Sequence, residues 1–214
     1  MVRVACNRLD EIIDSLLNVL VLNDRVPFTS VQAVDVDAIA REVIARFRHT
    51  LGQVGSMLSL EASGPMVGLY DKEAVERILS NLLSNALKFG EHKPVTISLT
   101  GDEEVVRITV RDSGIGIDPR DHQRIFERFG RAVSKNQYGG LGLGLWVVRR
   151  LTEALQGSVR VESEPGRGST FTVELPRATG ELPRPARRAT ISCTAKTCRS
   201  WSPPRDRPSG LLPF

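Results

Sequence analysis

Between residues 71 and 111 the chain changes its hydrophobic period once, and that change limits the folds open to it. Val75, Ile78, Leu79, Leu82, Leu83 and Ala86 recur at helical spacing, which predicts a helix over 71–89 with one apolar stripe. Asp71 stands where an N-cap carboxylate is wanted, and Glu73 suits the positive end of the helix. Residues 95–100 and 105–111 then alternate apolar and polar, with Gly101-Asp102-Glu103 between them. That alternation, broken by such a turn, predicts a hairpin with one buried face. The helix stripe and the hairpin face each need cover, so a helix layer on a sheet is expected.

The remaining segments extend this plan. Leu9, Ile12, Ile13, Leu16, Leu17, Val19 and Leu20 form a helical stripe over 3–24, stopped by Asn23, Asp24 and Pro27. Packing on helices of a second subunit and ordinary docking on this chain both fit that stripe. A second helix is expected over 37–49 from Ile39, Val43, Ile44 and Phe47, followed by short strands near 58–61 and 66–70. A Gly-rich, loop-like stretch runs from 112 to 144, and a helix over 145–155 stops at Gly157. Residues 158–164 and 170–175, joined by Pro165-Gly166-Arg167-Gly168, read as a last hairpin. The fold class expected is α+β: a mixed, mostly antiparallel sheet covered by helices on one face, preceded by one long helix.

Charge separates the tail from the rest. From Arg177 onward eight basic residues stand against Glu181 and Asp206, a balance of +6, which leaves −2 for residues 1–176 of a +4 chain. The basic character therefore belongs to a Pro- and Arg-rich tail expected to be disordered. It gives the folded part no basic face of the kind nucleic acid requires. Cys6, Cys193 and Cys198 are odd in number and widely spaced, which suits reduced thiols in a cytoplasmic chain. No run approaches the roughly 20 apolar residues of a membrane span, though a longer parent protein could carry a membrane anchor.

Three segments carry the chemistry. Asn81, Asn85 and Lys88 lie four and three residues apart, within about 60° of arc on the predicted helix and off its apolar stripe. An amide oxygen suits Mg²⁺ and an ammonium suits phosphate, although a plain polar helix face has the same composition. Asp112-Ser113-Gly114-Ile115-Gly116-Ile117 follows a strand. Its carboxylate can accept from a ligand amine, and its glycines let backbone come close to a planar base; a simple turn reads the same way. Gly139-Gly140-Leu141-Gly142-Leu143-Gly144 leads into a helix, which suits amides wrapped around phosphate oxygens. It matches neither a P-loop nor a dinucleotide fingerprint, and a mobile linker is the plainer alternative.

Together and in this order the segments resemble the catalytic ATP-binding domain of sensor histidine kinases, over roughly residues 35–176. Asn81-Leu82-Leu83-Ser84-Asn85-Ala86-Leu87-Lys88-Phe89 resembles the N box of that family, Asp112 to Ile117 the G1 box, Ile125-Phe126-Glu127-Arg128-Phe129 the F box, and Gly140 to Leu145 the G2 box. Gly166-Arg167-Gly168-Ser169-Thr170-Phe171 is similar to its last strand. The resemblance implies a Bergerat-type α/β sandwich binding ATP with Mg²⁺. It implies Asn85 as metal ligand, Lys88 on phosphate, Phe89 near the adenine, Asp112 accepting from the adenine amine, and Asn81 and Ile117 among the other cofactor-binding residues. It further implies a pocket and lid shaped by Gly114, Gly116, Gly140, Leu141, Gly142, Leu143 and Gly144. The lid spans about 128–138, Arg128 or Arg131 reaches the phosphates, and Thr170 lies near the pocket floor. Hydrolysing relatives in the wider superfamily carry Glu where this chain has Asn81; an amide cannot take a proton from water at neutral pH. ATP is then held for transfer and not for hydrolysis.

The helix over 3–24 resembles the second helix of the family's dimerisation and phosphoacceptor hairpin. That implies residues 1–26 as part of the hairpin, 27–176 as catalytic domain and 177–214 as tail. A homodimer through the N-terminal helix, a phosphoacceptor hairpin and a response regulator are the partners implied. The acceptor histidine of the family precedes an acidic residue on the first hairpin helix. His49, His92 and His122 precede Thr50, Lys93 and Gln123, so this chain is expected to donate to an acceptor outside it. An anti-sigma-factor-type serine kinase and a non-catalytic nucleotide-binding regulator are the alternatives. The 3–24 helix, F box and long lid count against the first, and the intact motifs against the second.

Overall fold

The computed structural model of the chain describes residues 30–132 and 141–177. The helix expected over 3–24, the three cysteines, Gly139, Gly140, the lid from 133 onward and the tail beyond Arg177 lie outside these residues. The chain runs β1 (Val31–Asp35), α1 (Val36–Val54), β2 (Leu58–Ser63), β3 (Val67–Asp71), α2 (Lys72–Phe89), β4 (Val95–Gly101) and β5 (Val105–Asp112). Two short 3₁₀ turns, Pro119–Asp121 and Arg124–Phe126, precede α3 (Gly144–Ala154), β6 (Ser158–Glu164) and β7 (Gly168–Pro176). Five strands form one sheet in the order β2-β4-β5-β7-β6, while β1 and β3 pair separately. Only β2 and β4 run parallel; the other neighbours in the sheet are antiparallel. The α+β layer architecture expected from the sequence is the one observed.

The period change explains the packing. In α2, Val75, Ile78, Leu79, Leu82, Leu83, Ala86 and Leu87 are buried, and the helix packs on α1, α3 and β5. Asp71 caps it by accepting from the Ala74 N–H at 3.0 Å. Facing it, Val106, Ile108 and Val110 of β5 and Phe171, Val173 and Leu175 of β7 are buried at alternate positions. Helix α1 runs further than its stripe suggests. It stops at Gly55, whose φ of 70° lets its N–H donate to the Leu51 carbonyl at 2.9 Å.

Two local readings need correction. Strand β1 was not foreseen, because only Val34 of its five residues is buried and no alternation marks it. At the end of α3 the left-handed residue is Gln156, with φ of 60°, and not Gly157. Gly157 serves a different need: a Cβ there would lie 2.2 Å from the Glu174 carbonyl oxygen, so β7 approaches too closely for a side chain. The last turn follows its sequence, with Pro165 ahead of Gly166 at φ 77° and the Arg167 N–H donating to the Glu164 carbonyl at 3.0 Å.

Among the described residues, no helix is long and apolar enough to cross a membrane. One buried hydroxyl is left over: Thr152 on α3 is fully buried and its Oγ1 has no hydrogen-bond partner. Burying such a group costs about 1–3 kcal/mol. Thr152→Val should therefore leave the fold intact and raise the thermal unfolding midpoint; a lower midpoint by calorimetry would contradict this placement.

Candidate functional site

The helix-facing side of the sheet is apolar except at one end. There β5 presents Val106, Ile108, Val110 and then Asp112, and β7 presents Leu175, Val173, Phe171 and then Ser169. On β6 the half-buried positions are Val159, Val161 and then Ser163. Asp112 pairs with Ser169, and Ser169 with Ser163. Three apolar rows thus end in a single polar rung. That rung lies beside the C-terminus of α2, where the Ile115 N–H donates to the Phe89 carbonyl at 3.1 Å.

Asp112 is 5% exposed. Burial pushes its carboxyl above the usual carboxylate range, while N–H donors from Gly114 and Ser169 and the nearby Lys93 charge pull it part of the way back. The Gly114 N–H donates to Oδ1 at 2.9 Å. A buried, ionisable acceptor at the end of an apolar floor suits a flat base that offers an amine.

The glycines after Asp112 act on the protein itself. A Cβ at Gly114 would lie 1.9 Å from the Phe89 carbonyl, and one at Gly116, where φ is 68°, would lie 1.9 Å from the Glu164 carbonyl. They press the loop between α2 and the β6–β7 hairpin, which sets the position of Asp112. Ile117 donates its N–H to Ser163 Oγ at 2.8 Å and packs against the core.

On α2, Asn81, Asn85, Lys88 and Phe89 are all half-buried. The Asn81 amide donates to the Arg77 carbonyl at 2.8 Å, which leaves its oxygen turned to α3. A Cβ at Gly144 would lie 2.9 Å from that oxygen and 3.9 Å from Asn85 Nδ2. The first residue of α3 therefore touches the two amides. Helix α3 has neither a side-chain cap nor an acidic residue in its first turn. Its first amides lack intrahelical partners by geometry and favour an anion. Lys88 Nζ lies 5.4 Å from the centre of the Phe89 ring, a cation at the edge of the same site.

The G2 and lid residues divide. Gly142, at φ 71°, packs against Gly130 and Arg131. Leu143 is buried beneath the start of α3, whereas Leu141 is 38% exposed. Arg128 stacks on Phe129 and Trp146, its guanidinium carbon 5.2 Å and 5.9 Å from their ring centres. Gly140 lies outside the described residues.

Thr170 needs correction. The pleat pairs it with Arg111 and Glu162, on the face away from the helices; the residue on the Asp112 side is Ser169, 6% exposed. The signal was present in the sequence, since the apolar Phe171, Val173 and Leu175 fix odd positions as inward. Ser163 and Trp146 were also passed over. Ser163 ends the Val159 and Val161 row, and Trp146 had no visible partner before Arg128 was placed.

Residues 70–179 match the family described as histidine kinase-, DNA gyrase B- and HSP90-like ATPase. The chain is 34% identical to the sensor histidine kinase MtrB of Mycolicibacterium paratuberculosis over 177 residues, 81% of this chain and 31% of that protein. It is 34% identical to the sensor-like histidine kinase SenX3 of Mycobacterium bovis, over 82% of this chain and 43% of that protein. The chain thus spans less than half the length of these relatives. Its fold overlays on full-length ShkA, solved in complex with AMPPNP, at a TM-score of 0.73 with 31% identity, over 85% of this chain and 38% of that one. The mycobacterial sensor histidine kinase MprB shares the fold at a TM-score of 0.62 and 24% identity, over 69% of this chain and 98% of that one.

Two predictions follow from this geometry. Gly144→Ala should keep or raise the unfolding midpoint, because Ala favours a helix by about 1 kcal/mol. It should also weaken ATP binding tenfold or more in calorimetry by displacing the Asn81 oxygen; unchanged affinity would contradict the contact. Acid should protonate Asp112 and remove its acceptor. Because burial raises that pKa, adenosine (which has no phosphate to titrate) should bind more weakly as pH falls from 7, starting above the ordinary Asp value of about 3.9. An Asp112→Asn variant should lose this dependence in NMR titrations.

Proposed function

The chain belongs to the family of histidine kinase-, DNA gyrase B- and HSP90-like ATPases, and from that premise we propose that it holds Mg²⁺-ATP as the phosphoryl donor of a sensor histidine kinase. The observation that carries the reading is the buried Asp112 at the end of an apolar floor, within one site that also holds the amide row of α2 and the uncapped start of α3. The residues fit the nucleotide and metal. Asp112 would accept from the adenine amine over Ile117. Lys88 and the first amides of α3 would hold phosphate oxygens, and the Asn85 amide oxygen would hold Mg²⁺. The bound metal would supply charge stabilisation to the transferring group. That ShkA was solved with AMPPNP supports ATP as the ligand here.

Asn81 is central to the choice between transfer and hydrolysis. Its amide is engaged with the Arg77 carbonyl and cannot serve as a general base. Its position beside Gly144 supports a site that orients phosphate without activating water. In this reading residues 27–176 are the donor domain and residues 1–26 belong to a dimerising hairpin. The acceptor histidine and the response regulator are separate partners. His49, His92 and His122 stay outside the chemistry.

The test offers an added phosphoacceptor hairpin together with γ-labelled ATP and Mg²⁺. Acid-labile label should appear on that hairpin and vanish with Asn85→Ala, while His49→Ala, His92→Ala and His122→Ala leave it intact. Label on the chain itself that one of those three variants removes would overturn the donor assignment. Steady hydrolysis on the order of 10 s⁻¹, the median enzyme rate, would overturn the role given to Asn81.

A further inference from the structure

Arg124 grips one short segment with both its backbone and its side chain. Its carbonyl accepts from the Glu127 N–H at 3.0 Å, and a Cβ at Gly130 would lie 1.8 Å from that oxygen. Its guanidinium donates to the Arg131 carbonyl and pairs with Asp121 Oδ1 at 3.2 Å. Between these grips Phe129 turns with φ of 65°, a conformation that a bulky side chain adopts only when its surroundings impose it. The Arg124 side chain is 59% exposed, so its ion pair adds little to stability. What its two bonds fix is the course of the chain from Phe129 to Arg131.

That course bears on the phosphate end of the site. Arg128 is engaged, stacked on Phe129 and Trp146. Arg131 lies elsewhere: a Cβ at Gly142 would be 3.0 Å from its Cγ and 2.8 Å from the Gly130 carbonyl oxygen. Gly142 stands just before Gly144, where α3 begins without a side-chain cap. The stem of Arg131 is therefore set against the approach to amides that favour an anion. We propose that Arg124 is a positioning residue: by bridging Asp121 and the Arg131 carbonyl, it holds the Arg131 side chain at the start of α3 to meet the nucleotide's phosphates. The proposal rests on the ATP reading above, and it gives a role to a residue that does not itself touch the nucleotide. A guanidinium suits the bridge, because its planar fork presents separate donors to a carboxylate and a carbonyl at once.

The test measures Mg²⁺-ATP by calorimetry and adenosine, which has no phosphates, by NMR titration, both on the full chain. Arg124→Met keeps the stem and removes both side-chain bonds. The ratio of ATP to adenosine affinity should then fall about tenfold, the scale of a charge-assisted contact, with adenosine affinity itself unchanged. Asp121→Ala frees the guanidinium from its carboxylate and should lower the ratio in the same direction, even if Arg124→Met does not fold. Arg131→Ala should lower the ratio as much as Arg124→Met, and the double variant no further, because the two act through one contact. A merely structural role for Arg124 would weaken both ligands equally. That result, a ratio unchanged within twofold in Arg124→Met or Asp121→Ala, or additive losses in the double variant overturns the proposal. Failure of the unsubstituted chain to bind Mg²⁺-ATP would overturn the ATP reading itself, and this proposal with it.

Discussion

Helix α2 has to do two things with one surface, and the rest of the molecule is arranged around that constraint. Its apolar stripe must be buried against the sheet and the flanking helices, and Ile78, Leu79, Leu82 and Leu83 have no exposed surface at all. Once that stripe is fixed, the helical period leaves no freedom for the row beside it. Asn81 and Asn85 must emerge at the border of the core, where Gly144 meets them. The core therefore positions the chemistry, and a change in how α2 packs would move the amide row as a unit.

The sheet applies the same logic with a period of two. Inward positions on β5 and β7 are apolar for most of their length and turn polar at one level, Asp112 and Ser169. The carboxyl at that level is raised by burial. An Asp whose native pKa lies above its unfolded value costs stability once pH rises through the native pKa, so the ionised site is held at the expense of the fold. The N–H donors of Gly114 and Ser169 and the nearby Lys93 charge limit that expense.

Much of this was legible in the sequence because the two hydrophobic periods are strong. The stripe of α2, the β4–β5 hairpin and the Asn81-to-Lys88 row all followed from spacing. What spacing hid was local or long-range. β1 is too exposed to show alternation, and the turn after α3 uses Gln156 in a conformation usually left to glycine. Thr170 lies on the outer face because the pleat set by Phe171, Val173 and Leu175 turns Ser169 inward, which a motif's residue order does not show. The tether from Ile117 to Ser163 spans 46 residues, and no local pattern encodes it.

The most direct measurement is a crystal structure of the chain with Mg²⁺ and a non-hydrolysable ATP analogue. The account predicts the adenine amine within hydrogen-bond distance of the Asp112 carboxylate and the phosphates between Asn85 and the first turn of α3. A second concavity of about 740 Å³ lies between α3 and the β6 edge, lined by residues that include His122, Arg149 and Arg160. A nucleotide seated there, with Asp112 still buried and untouched, would contradict the account.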